Sequence, residues 1–329
     1  MVIRSARQIR YLSRADIEGL ALSGETLADG IELIIRASAL GLAQNFPKTT
    51  KVFPDGRLFQ CTMALGTGPP APIFAATKVV GLSPANAERG LPHIGGLVVL
   101  NDGETGMPIA VMDATWITEM RTAALSLVAA RRYARTDARR IGFVGCGAQA
   151  NSHLSAFAEA FPLSSVTAYS RSRSSAAALV ERARAMGLEA VVAEEPKQAV
   201  AGQDIVISSV PGHPELVPFL NAEWLSRGSF GAFVDLGRSW LAEGFDRIDH
   251  RLIDDRAQAE ASRVYRTLTP DGPYTADLRE MITEPALRRK DDEERAVFTF
   301  QGMALADLAA AALVITAAAN AGVGRLLPA

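Results

Sequence analysis

The run Gly145-Cys146-Gly147-Ala148-Gln149-Ala150 constrains this chain more than any other feature, because it directly follows the strand-like Ile141-Gly-Phe-Val144 and opens a helix. In that setting the first glycine permits a tight turn, the second lets the backbone approach a pyrophosphate, and the small third residue packs helix on strand. The helix N-terminus then faces phosphate charge. A glycine-rich turn without ligand is the plainer alternative, but the pattern around the run is complete. From Arg140 onward strand-like and helix-like segments alternate: 141–144, a helix over 150–160, a strand at 165–170, a helix over 174–186, then apolar runs at 189–193, 204–210 and 230–236. Such alternation predicts a doubly wound parallel sheet of Rossmann type. The charged runs Asp246 to Arg256 and Arg288 to Arg295 read as solvated connections.

At the end of the second strand of such a domain an acid would hold the ribose 2′-hydroxyl of NAD. This chain has Tyr169-Ser170-Arg171-Ser172-Arg173, with no carboxylate. Arginine and serine there can hold the 2′-phosphate of NADP by charge-assisted pairing, so NADP(H) is favoured and NAD(H) stays possible. Exposed arginines at a helix start are the plainer alternative. Ser209 and Val210, closing the run 204–210, are counted with Gly145, Gly147, Ala148, Gln149, Ala150 and Ser170 to Arg173 among the cofactor contacts.

A chain of 329 residues is long for one core, and a second domain is expected upstream. Residues 13–42 have helical spacing, with Ser13 as a cap. Between 51 and 100 the texture changes to short apolar runs punctuated by Pro, Gly, Asn and Asp, which predicts a sheet. A hairpin turn at 102–108 and a long helix over 115–134 follow. The alanine-rich stretch 303–323, interrupted by Asp307 and Asn320, reads as a packed helix rather than a membrane span. The amino-terminal stretch carries spread arginines and no apolar core of a secretory signal. With Cys61 and Cys146 far apart and outside any CxxC, the chain fits a reducing cytoplasm. A formal charge of −2 supplies no footprint for nucleic acid or anionic lipid.

Three charged residues stand out by context. Lys78 interrupts the apolar run Phe74-Ala-Ala-Thr-Lys-Val-Val, as either an exposed-face lysine or a buried functional amine. Arg121 lies on a helix rich in alanine and threonine, where it can point at a carboxylate. Asp235 follows Phe233-Val234 at the carboxyl edge where open α/β sheets bind ligands. The four histidines show no metal-ligand spacing, and no GxSxG nucleophile is present.

Together Lys78-Val-Val, Gly90-Leu-Pro-His-Ile, Leu100-Asn-Asp-Gly-Glu-Thr-Gly-Met-Pro, Met112-Asp-Ala-Thr-Trp-Ile-Thr-Glu-Met-Arg-Thr-Ala-Ala, the glycine motif and Gly302-Met-Ala-Leu-Ala-Asp-Leu resemble the ornithine cyclodeaminase and mu-crystallin family over nearly the whole chain. The resemblance implies a homodimer built on a substrate-binding and dimerisation domain, 1–116 with 303–329, beside a Rossmann domain, 117–302. It also implies Lys78 as the active-site lysine, Arg121 as the clamp on the substrate carboxylate, and Asp235 as an aspartate near the substrate nitrogen. Where many members have Pro-Arg this chain has Pro47-Lys48, and where many have a small hydroxyl residue it has His93. Lys48 and His93 are therefore placed with the substrate contacts. The run after Asp235, Leu-Gly-Arg-Ser-Trp, also departs from the family's. The implied activity is NAD(P)H-dependent reduction of a 2-imino acid, or its reverse. Redox-neutral ornithine cyclodeamination with bound NAD and NADP binding without turnover are the alternatives.

Overall fold

The computed structural model describes residues 8–213, 215–262 and 268–329. The first seven residues, part of the stretch read above for a secretory signal, lie outside the described residues. In chain order the elements are β1 (Gln8–Leu12), α1 (Arg14–Glu18), α2 (Gly24–Ala39), β2 (Ala43–Asn45), β3 (Thr49–Val52), β4 (Leu58–Gly66), β5 (Phe74–Leu82), β6 (Ile94–Asp102), β7 (Pro108–Asp113), α3 (Ala114–Tyr133), β8 (Arg140–Val144), α4 (Ala148–Ala160), β9 (Ser165–Tyr169), α5 (Arg173–Ala185) and β10 (Glu189–Val192). They continue with β11 (Ile205–Ser208), β12 (Phe230–Phe233), β13 (His250–Ile253), α6 (Arg256–Ser262), β14 (Ala276–Asp277), α7 (Leu278–Thr283), β15 (Ala296–Thr299), α8 (Ala304–Ala321) and β16 (Arg325–Pro328). The chain forms two compact units: residues 1–121 with 303–329, and residues 122–302.

The first unit holds a mixed sheet in the order β16-β1-β7-β6-β5-β4-β2, with β3 also paired to β4. Strand alternation puts Ala64, Ala76, Lys78, Val80, Val98 and Leu100 on the buried face. α8 packs on β4 and β5, and α2 packs on α8. α2 buries Leu27, Ala28, Ile31, Ile34 and Ile35, the spacing of one helical face. Although α8 is long and apolar enough to cross a membrane, most of it is buried within the protein. Ser13 caps α1 through a reciprocal bond with Asp16, as its position predicts. The 102–108 turn is held by Asp102 Oδ1, which accepts from the backbone N–H groups of Glu104 and Thr105 at 3.1 and 2.8 Å.

The second unit is an eight-stranded, wholly parallel sheet ordered β10-β9-β8-β11-β12-β15-β13-β14. From β8 the chain winds outward through β9 and β10, then resumes on the other side with β11. The carboxyl ends of β8 and β11 therefore bound the switch-point crevice of a doubly wound sheet. One expectation is corrected here. Within 246–256, read as a solvated connection, β13 is an interior strand between β15 and β14. Its Leu252 and Ile253 are buried, and apart from Arg251 the charges that dominate the sequence lie on the turns flanking only four strand residues.

Candidate active site

Lys78 is the central residue of β5, in register with Thr62 of β4 and Val98 of β6. Strand parity points it the same way as Ala76 and Val80, so only 3 % of its side chain is exposed. A buried ammonium needs a counter-ion, and α8 provides one. Asp307 lies in the first turn of α8, where the helix dipole favours a carboxylate. Lys78 Nζ donates to Asp307 Oδ1 at 2.8 Å and to Thr118 Oγ1 at 3.3 Å. The second oxygen, Oδ2, accepts from Thr62 Oγ1 at 3.1 Å.

Arg121 joins the same carboxylate. It lies three residues after Thr118 on α3, hence on the same helix face, and its Nε approaches Asp307 Oδ1 to 3.1 Å. That contact is an ion pair without hydrogen-bond geometry, and Nη1 is buried with no partner among the described residues. Lys48 is half-buried and close enough to lower the proton affinity of Asp307. One carboxylate thus faces three cationic side chains. Burial pushes the Asp307 carboxyl up, yet the charges of Lys78 and Arg121 outweigh that and hold it below the ordinary aspartate range. Burial and the nearby Arg121 charge depress Lys78 to about 8, partly offset by Asp307.

Asp307 was absent from the sequence-derived site. The available signal was a lone acid in an alanine-rich helix, which cannot be buried there without a cationic partner. His93, by contrast, is exposed on the loop before β6. The structure does not bring it to the cluster: the neighbouring pair Leu82–Ile94 is four residues of register from Lys78–Val98, roughly 13 Å along the strands.

In the second unit the glycine motif has the geometry of a phosphate cradle. Gly145 has φ +85°, and a Cβ there would come within 2.8 Å of the Ser209 carbonyl group and 3.0 Å of Val210 N. Ser209 Oγ donates to the Gly145 carbonyl at 2.9 Å, locking the ends of β8 and β11 together. Gly147 takes the N-cap position of α4 without a side-chain cap and with open space where a Cβ would stand. The first N–H groups of α4 are left for an anion, while Ala148 is exposed and Ala150 is buried. Gln149 is held at its carbonyl by His153 Nδ1–H, 2.7 Å away, and the other ring nitrogen accepts from Ser126 Oγ at 2.9 Å. Burial keeps this imidazole neutral by lowering it to about 4. Gln149 Oε1 is buried without a hydrogen-bond partner among the described residues. These residues fit a dinucleotide pyrophosphate.

Beyond β9, Ser170 is half-buried and Arg171 is exposed, with no side-chain partner among the described residues. Ser172 caps α5, and Arg173 forms an exposed pair with Glu194, its Nη1 donating to Oε2 and Oε1 at 2.8 and 2.9 Å. Asp235, just past β12, is buried and accepts four hydrogen bonds, from Ser208 Oγ, Ser239 Oγ and the backbone N–H groups of Val210 and Gly237. Burial pushes its carboxyl up against those four donors. Asp235 braces the backbone at Val210, next to Gly145, and Trp240 Nε1 completes the network by donating to Ser208 Oγ at 2.9 Å.

A family model described as ornithine cyclodeaminase/mu-crystallin matches residues 8–322. Among curated proteins, the alanine dehydrogenase of Archaeoglobus fulgidus is 30% identical over 321 residues, spanning 95% of this chain and 96% of that one. Among solved structures, the Thermococcus litoralis Δ1-pyrroline-2-carboxylate reductase, in complex with NADH and L-proline, is 25% identical with a TM-score of 0.85. That match covers 96% of this chain and 99% of the other. An archaeal alanine dehydrogenase dimer with bound NAD is 28% identical with a TM-score of 0.81, over 97% and 99% of the two chains.

Proposed function

The chain belongs to the ornithine cyclodeaminase/mu-crystallin family, and from that premise we propose that it reduces a 2-imino acid to an amino acid with a nicotinamide dinucleotide, or runs the reverse oxidation. The observation that carries this reading is Arg121: a buried guanidinium with an unpartnered Nη1, beside a lysine and sharing a single carboxylate with it. Such a surplus of positive charge calls for an anion, and a planar guanidinium matches a carboxylate. Arg121 seats the acid group, with Lys48 adding a point charge. Lys78 gives its proton to the imine nitrogen, and Thr118 and Asp307 hold the ammonium in place for that step. A bound nicotinamide dinucleotide supplies the hydride when present. The 122–302 unit holds its pyrophosphate at Gly145, Gly147 and α4, with Ser209 and Val210 against the turn. Asp235 acts as the brace of that turn, and a direct role at the substrate nitrogen remains the other assignment for it.

NADP(H) is the favoured cofactor in this reading, because Arg171 and Arg173 stand where NAD-specific domains carry an acid. The first unit is also the dimerisation unit. Purified protein should oxidise NADPH stoichiometrically in a panel of 2-oxo acids with ammonia or methylamine and of cyclic imines. Proline formed from L-ornithine with no net change in nicotinamide absorbance would replace this reading by cyclodeamination. Retention of NADPH without turnover of any panel member would favour a binding protein.

A further inference from the structure

The shared oxygen of Asp307 has a consequence for the proton. Oδ1 lies 2.8 Å from Lys78 Nζ and 3.1 Å from Arg121 Nε, so two cations divide one negative oxygen. The other oxygen is engaged by Thr62. The charged groups acting on Lys78 are Arg121 from α3 and Asp307 from α8, and Lys48 acts on Asp307. On the flanking strands its register partners are Thr62 and Val98, neither of which titrates in the working range. Side chains of this cluster are nearly excluded from water, with 3 % exposure for Lys78 and Asp307 and 9 % for Arg121. Screening between them is therefore weak, and a charge change on one is felt by the others.

We propose that Asp307 is a positioning residue that couples the two cations: a carboxylate seated on Arg121 frees Asp307 to serve Lys78, so binding of the acid and protonation of Lys78 go together. This rests on the reading of Arg121 as the carboxylate clamp. The proton comes from solvent, and the neutral amine of Lys78 becomes the ammonium that the reduction consumes. In the free site Arg121 opposes a charge on Lys78; once neutralised by the ligand it no longer does. The acid therefore prepares the proton donor on arrival, and departure of the product relaxes it.

The test is calorimetric titration of propionate, whose only ionisable group is its carboxylate, into the full-length protein with NADP⁺ present, in buffers of different ionisation enthalpy. Proton uptake should approach one per propionate near about pH 9 and fall toward none near about pH 6.5, where Lys78 is already charged. Over the alkaline range the propionate Kd should rise with pH, by at most about tenfold per unit. Lys78→Met should bind propionate with no uptake. Asp307→Asn, which keeps the shape but removes the anion, should move the uptake window to lower pH. Binding without uptake at any pH, or uptake unchanged in Lys78→Met, overturns the coupling and leaves the clamp standing. Failure of propionate to bind the unmodified protein at about 100 mM overturns the clamp and the coupling together. Should Asp307→Asn fail to fold, Asp307→Ser takes its place, and an uptake window left unmoved by loss of the anion overturns the part given to Asp307.

Discussion

A buried guanidinium nitrogen without a partner forfeits a charge-assisted hydrogen bond until a ligand supplies one, and such a bond contributes about 1.5 to 3 kcal/mol. Arg121→Ala should therefore raise the KM for the imino acid about tenfold or more while leaving the cofactor Kd nearly unchanged. Steady-state kinetics beside fluorescence titration of NADPH separates the two quantities. Lys78 adds a pH dependence. Burial first and the Arg121 charge second bring it down from 10.5 to about 8, so it is protonated at neutral pH and loses its proton as pH rises through about 8. The kcat/KM for reduction, which reports the free enzyme, should fall across that range and that for amino acid oxidation, which needs the neutral amine, should rise. A reductive kcat/KM flat from pH 7 to 10 would remove Lys78 from the proton step. Of these residues Lys78 and Arg121 stand out in the sequence because each interrupts an apolar or small-residue run. Asp307 interrupts a small-residue run in the same way, but a single acid in an alanine-rich helix has no assignable partner until the sheet beneath it is known to carry a lysine.

At the scale of elements, the dinucleotide cradle depends on the contact between the turns after β8 and β11. Gly145→Ala would put a methyl at φ +85° against the Ser209 carbonyl group, at a cost of about 1 to 3 kcal/mol. The expected outcome is a lower Tm together with loss of NADPH binding, since the turn must shift away from the phosphate. A variant that keeps NADPH affinity would show that the turn tolerates the shift. In the proposed assignment the loop after β9 selects the cofactor, so Arg171→Ala combined with Arg173→Ala should weaken NADPH far more than NADH. Because Arg173 is shared with the exposed Glu194, most of that loss should come from Arg171. An equal loss for both cofactors would count against the loop. The parallel sheet itself is legible because strands such as Ile141–Val144 and Ile205–Ser208 are short, apolar and followed by turns. β13 is not, because its turns bring Asp246, Arg247, Asp249, Asp254 and Asp255 within a few residues of a four-residue strand, and composition averaged over that window hides the strand.

At the scale of the whole molecule, the outer face of the first unit's sheet is apolar and partly exposed. Residues of the parity opposite to Lys78 make two apolar rows across neighbouring strands. One runs Cys61–Val79–Leu97, and the next runs Met63–Thr77–Val99–Val111–Tyr11, through β4, β5, β6, β7 and β1. Phe59, Met63, Val79 and Leu97 are between 37 and 54 % exposed, on strands whose other face carries the buried Ala64, Ala76, Lys78, Val80, Val98 and Leu100. An apolar sheet face of this breadth on a lone chain is an association surface. A second copy is the occupant we infer, because a two-fold axis counts every residue twice. Each of these side chains is already about half-buried, so covering it contributes about half of the 1.5 to 3 kcal/mol of full burial, and four such residues from each of two chains supply roughly 6 to 12 kcal/mol, the same order as the roughly 4 to 15 kcal/mol that association costs. The unmodified protein should be a dimer at micromolar concentration by light scattering. Val79→Lys with Leu97→Asp would place charges at the centre of the face without touching the buried side that carries Lys78, so the pair should yield monomers with unchanged far-ultraviolet circular dichroism. Monomers from the unmodified protein, or dimers that survive the paired substitution, would move the subunit contact away from this face.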